Sequence, residues 1–140
     1  SAAMLNLLRL SRMTGNTDLE QKALQISQHF SKTISQAPHG HTFFMSALNL
    51  AIGPTYEVGI AGRLQEEGAR TMLKTLKSQF TPNRVVLFRP CDEEYPEITR
   101  MAEFTKNLLC IDGRATAYVC SNYNCKLPTT DAGEMLRLLK

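Results

Sequence analysis

The spacing of apolar residues changes at Gly53-Pro54, and that change divides the chain into two different kinds of polypeptide. Proline removes a backbone donor and restricts the residue before it, so a helix arriving there must stop. Upstream the spacing is helical. Leu19, Ala23, Ile26, Phe30 and Ile34 recur every three or four residues and turn one stripe inward. Gly15-Asn16 ends a first helix over 2–13, and Thr17 with Glu20 three residues on has the capping-box form. A third helix over about 41–52 runs up to the Gly-Pro break. Helices of this kind resemble a piece of a larger bundle or toroid.

Downstream, short apolar runs alternate with helical patterns. Residues 56–61 read as a strand, and a helix over about 66–80 buries Leu64, Met72, Leu73, Leu76 and Phe80. Residues 85–88 are continuously apolar, which suits a strand covered on both faces. A helix over about 94–108 turns Ile98, Met101, Ala102 and Phe104 inward, and 115–120 forms a third strand. Asp131 with Glu134 caps a final helix. Strands alternating with helices call for parallel pairing. The expected fold is therefore α/β. A helical segment over 1–53 precedes a βαβαβα unit over 54–140 with a mostly parallel three-stranded sheet.

The first helix adds a constraint. Met4, Leu5, Leu7, Leu8, Leu10 and Met13 cover most of its circumference, and such a helix expects neighbours on several sides. Few helices follow to supply them, so the expected partner is a missing N-terminal part of a longer parent chain. Of 140 residues, 43% are hydrophobic, enough for a core. The net charge of +3 comes from 16 basic and 13 acidic residues without a basic run, which argues against nucleic acid. The longest apolar stretch, 43–52, is interrupted by Ser46 and Asn49 and is too short to cross a bilayer. A cytoplasmic protein without a membrane partner is expected.

Candidate sites are sparse. Cysteines stand at 91, 110, 120 and 125, and their low density and irregular spacing favour reduced thiols over a secreted disulfide framework. Cys120 and Cys125 invite a disulfide, a metal or redox chemistry. Four residues separate them, rather than the two that place one thiol at a helix N-terminus, so structural thiols are favoured. Zinc would need His39 and His41 from far along the chain. Gly59-Ile60-Ala61-Gly62, followed by Arg63, lies where a strand meets a helix and a phosphate would find backbone N–H groups, but it matches no phosphate-binding pattern. His39 and His41 read as loop residues, and His29 as partly buried. Asp92-Glu93-Glu94 reads as a solvated helix start. No nucleophile, base and orienting group assemble, so neither a catalytic residue nor a cofactor is assigned.

The segment from Ala115 to Asp131, Ala-Thr-Ala-Tyr-Val-Cys-Ser-Asn-Tyr-Asn-Cys-Lys-Leu-Pro-Thr-Thr-Asp, resembles the end of the spermatogenesis-associated, thioredoxin-domain-containing family. Asn6-Leu-Leu-Arg-Leu, Ser46-Ala-Leu-Asn-Leu-Ala-Ile-Gly-Pro54, Tyr56-Glu-Val-Gly-Ile-Ala-Gly62 and Pro82-Asn-Arg-Val-Val-Leu-Phe88 extend the likeness along the chain, in order. The resemblance implies a longer parent, with a thioredoxin-like domain joined to an (α/α)6 toroid similar to sugar epimerases and glycosidases. This chain would hold the last toroid helices and a C-terminal α/β part. Cys120, Cys125, Pro128 and Asp131 match the family's terminal pattern, which carries over no catalytic role. The expected function is a structural or accessory module without catalysis of its own. The alternatives are part of a sugar-processing enzyme (epimerase, isomerase or glycosidase-like), or a thiol-redox or zinc module through Cys120 and Cys125.

Overall fold

The structure is a computed structural model that describes residues 2–140. Three helices come first: α1 (Ala2–Thr14), α2 (Thr17–Gln36) and, after a 3-10 turn at Pro38–His41, α3 (Thr42–Ile52). Gly15 ends α1 at φ 73°, and its N–H reaches the Ser11 carbonyl at 2.8 Å. This is the left-handed cap for which glycine is suited. The cap of α2 lies one residue earlier than the sequence suggested. Asn16, not Thr17, accepts the N–H of Asp18, at 3.0 Å.

Helix α1 packs against both α2 and α3. Met4, Leu5, Leu8, Ala23, Ile34, Phe44, Ala47 and Leu50 form their shared core. Much of α1 is thus enclosed by the chain's own residues, although Leu10 stays 48% exposed. Phe30, expected inside, is exposed, and so is His29, whose ring stands edge-on to that of Phe30.

The sheet departs most from expectation. Strand β1 (Tyr56–Gly62), helix α4 (Glu67–Ser78) and strand β2 (Arg84–Pro90) make the predicted parallel unit. The next strand, β3 (Thr116–Ser121), instead pairs antiparallel with β1 on its other side. A two-residue strand β4 (Asn124–Cys125) pairs antiparallel with β3. The result is a four-stranded sheet of order β2-β1-β3-β4, with two of its three pairings antiparallel. The expectation of three mostly parallel strands is incorrect, and the three leading helices form a packed layer with no toroid.

The reason lies between β2 and β3. A second parallel crossover needs a helix long enough to carry the chain back along the sheet. The expected helix over 94–108 is replaced by one turn, α5 (Ile98–Met101), and a 3-10 segment at Glu103–Asn107. The hydroxyls of Thr99 and Thr105 donate to the carbonyls of Pro96 and Ala102 at 2.7 and 2.6 Å, a local alternative to helix propagation. Met101 consequently points outward, 63% exposed. A disulfide between Cys91 and Cys110 joins the ends of this connection, with Cα atoms 6.4 Å apart. The chain therefore re-enters the sheet from the end at which it left.

The sheet has two covered faces. Val58, Ile60, Ala117 and Val119 pack with Met72 and Leu76 of α4 and with Met135 of α6 (Ala132–Arg137). Leu64 and Phe80, expected in this core, are 57% and 94% exposed because they lie outside the ends of α4. Asp131 caps α6 as the sequence indicated, accepting the Glu134 N–H at 2.7 Å. Strand alternation turns Glu57, Gly59, Val85, Leu87 and Cys120 to the opposite face.

Candidate functional site

That second face carries the molecule's buried charges. Arg12, near the end of α1, and Glu57, on β1, are only 10% and 4% exposed in their side chains. Their closest charged atoms, Nη1 and Oε1, lie 3.8 Å apart. Arg12 also donates from Nη2 to Glu20 of α2 at 3.3 Å. Its guanidinium stands 5.0 Å from the ring centroid of Tyr123, within cation–π range. The Tyr123 backbone N–H donates to Glu57 Oε2 at 3.1 Å, and its hydroxyl donates to the Ser11 carbonyl at 3.3 Å. Thr55 donates to Asn122 Oδ1 at 3.0 Å, and its hydroxyl lies 3.5 Å from Glu57.

Asn122 and Tyr123 form the turn between β3 and β4, with φ of 49° and 63°. Two successive left-handed residues match the twist of a tight hairpin. They place Tyr123 over α1 while keeping its N–H on Glu57. Burial pushes the Glu57 carboxyl above its ordinary range. The Tyr123 N–H, Arg12 and Thr55 pull it the other way without overcoming that effect. A cavity of about 410 Å³ opens beside the cluster, lined in part by Glu57, Glu103, Phe104, Cys120, Tyr123 and Cys125.

Sequence reasoning missed Arg12, Glu57 and Tyr123. One signal was legible: Glu57 is the only charge in the otherwise apolar run 56–61. Its partner on a helix 45 positions earlier carried no such mark.

The cysteines depart from the reduced-thiol expectation. Cys120 and Cys125 are disulfide-bonded, as are Cys91 and Cys110, and no cysteine is free. Cys120 and Cys125 face each other across β3 and β4, so the Asn-Tyr turn that forms the hairpin also brings the sulfurs together. Among the described residues, no three His, Cys, Asp or Glu side chains gather as a metal site. His39 and His41 lie on the 3-10 turn of the helical layer.

The Gly59–Gly62 stretch has a packing explanation. A Cβ on Gly59 would collide with the Leu108 side chain, and one on Gly62 would lie 3.1 Å from the Ala69 Cβ. Glu66 and Glu67 occupy the start of α4, where an anion would be repelled, and Glu66 accepts the Ala115 N–H at 2.9 Å. Arg63 is exposed, as are Asp92, Glu93 and Glu94. No helix is long and apolar enough to cross a membrane among the described residues.

No family model matches the chain, and no solved structure gives a significant match. The chain is similar to spermatogenesis-associated protein 20 of Homo sapiens and of Rattus norvegicus, each 29% identical over 139 residues, and to that of Mus musculus at 27%. In each case the match covers 99% of this chain and 18% of the relative. The relationship is distant and partial. The chain spans less than a fifth of the length of the curated relatives it matches.

Proposed function

We propose that this chain is an accessory module that packs against further polypeptide of a longer protein. The observation that supports this most is the apolar surface left on the helical layer. Ile52 is 84% exposed, Phe43 53% and Phe30 47%, although the same helices bury Ala23, Ile34, Phe44, Ala47 and Leu50 in their shared core. Met45 and Ile52 are seven residues apart and share one side of α3. Exposed apolar residues that share one side of a helix form the kind of contiguous patch that marks an interaction site. The much greater length of the relatives supplies the kind of occupant: additional chain of the same protein.

In this reading residues 1–53 are the docking layer and 54–140 are the α/β module behind it. The Arg12–Glu57–Tyr123 cluster holds the two together, since its members come from α1, β1 and the β3–β4 turn. The geometry of this chain adds no support for a sugar-processing role of the longer protein.

The test is a pair of measurements with Met45→Lys and Ile52→Lys combined. In the chain alone the double variant keeps its melting temperature, because both side chains are exposed. In a longer polypeptide carrying this segment, the same variant lowers melting temperature or soluble yield. Equal behaviour in the two settings refutes the reading.

A further inference from the structure

Strand register sets three chemically reactive side chains in one row. Glu57 on β1 is the direct partner of Cys120 on β3, and Cys120 is the direct partner of Cys125 on β4. Directly opposed residues project to the same face of a sheet. All three line the cavity of about 410 Å³. We propose that the Cys120–Cys125 disulfide is a thiol–disulfide exchange site for a dithiol, with Glu57 as the proton donor to Cys120.

The two sulfurs are not equivalent. Cys125 is exposed, whereas Cys120 is 6% exposed. An incoming thiolate therefore reaches Cys125. A new S–S bond forms between the dithiol and Cys125, the Cys120–Cys125 bond breaks, and its electron pair passes to Cys120 Sγ. A thiolate at a buried position is poorly solvated, so its departure is slow unless it is neutralised. Glu57 delivers that proton and regains one from solvent, which received the proton of the first thiol. The second thiol then attacks its own sulfur in the mixed disulfide and expels Cys125, which takes the second thiol's proton. In sum the dithiol is oxidised to its disulfide, and the cystine becomes two Cys thiols.

The surroundings suit this chemistry. Burial favours the protonated form of Glu57, so the carboxyl retains its proton beyond the range of an exposed glutamate. The charged and titratable groups around it are Arg12 from α1 with Glu20 behind it, Glu103 from the 3-10 segment, and Tyr123 from the turn. Arg12 offsets the carboxylate that forms when the proton is given up. The second cystine, Cys91–Cys110, lines no part of this cavity and has no paired carboxylate in its strand register, so it serves as an internal reference.

The experiment treats the full chain with dithiothreitol, and in parallel with the monothiol glutathione, between about pH 5 and about pH 8. Acid-quenched samples are alkylated, and reduction of each cystine is read by peptide mass. Rates are expressed per reductant thiolate and as the ratio of Cys120–Cys125 to Cys91–Cys110. The expected ratio exceeds one and is greatest at low pH. It falls about tenfold as Glu57 loses its proton. Glutathione is expected to stall at the mixed disulfide on Cys125. Glu57→Gln flattens the profile, and Glu57→Asp restores part of it. A flat ratio in the unsubstituted chain overturns the proposal however the variants fold, and so does a ratio at or below one. The readout needs only this chain, so its outcome is separate from that of the docking test.

Discussion

Replacing Arg12 by Met tests whether the buried ion pair holds the helical layer on the sheet. At 3.8 Å and an effective dielectric near 20, the gross attraction between Arg12 and Glu57 is about 4 kcal/mol. Desolvation of both groups offsets much of that in the intact pair. Loss of one partner is different, because the remaining charge stays buried without compensation, at a typical cost of about 3–5 kcal/mol. Glu57 keeps the Tyr123 N–H, and Met preserves part of the apolar packing. The expected loss is therefore about 2–4 kcal/mol, or roughly 6–12 °C in melting temperature for a domain of this size. Urea denaturation followed by circular dichroism at several pH values measures it.

The pH dependence has a definite sign. Burial raises the folded-state pKa of Glu57 above its ordinary 4.5, so the folded chain holds this proton more tightly than the unfolded chain. The resulting stability is fully present below 4.5 and is lost as pH rises through the raised value. Removing Arg12 raises that value further. The gap between the two proteins should be widest near neutrality and narrow on acidification, when Glu57 becomes neutral in both and only the contacts of Arg12 with Glu20 and Tyr123 still distinguish them. Adding Glu57→Gln to Arg12→Met should recover most of the loss. A change below about 0.5 kcal/mol, a gap independent of pH, or strict additivity in the double variant refutes the reasoning.

Gly59→Ala should cost about 1–3 kcal/mol by forcing its new methyl into the Leu108 side chain, and Leu108→Ala in the same chain should relieve part of that cost in a double-mutant cycle. Replacing both Cys91 and Cys110 by Ser should lower stability by about 3 kcal/mol in non-reducing denaturation, since the bond closes a loop of sequence separation 19. Asp131→Ala should remove the cap on α6 and cost about 1 kcal/mol by thermal denaturation.

Local signals located most elements. Gly15 marked the end of α1, the Gly53-Pro54 pair the end of α3, and Asp131 the start of α6, because each acts through backbone rules that need only neighbouring residues. Strands β1, β2 and β3 were legible as apolar runs, and α4 as an inward stripe. Errors arose where local pattern met long-range choice. The run 94–108 has helical spacing, but two threonines bonded to their own backbone and a disulfide across its ends fold it into short turns. Phe30, Leu64 and Phe80 are apolar, but their burial depended on which neighbours the rest of the chain would supply.

The sequence by itself determined where the backbone could be helical or extended, because turns, caps and side-chain periodicity act over a few residues. Only the tertiary structure decided that β3 runs antiparallel beside β1, since strand direction depends on how the preceding connection is drawn together. The same decision made the site. With β3 reversed, Cys120 falls opposite Glu57, and the following turn brings Cys125 and Tyr123 to the same place. Arg12 reaches that row because α1 folds back over the sheet, a contact between residues 45 positions apart.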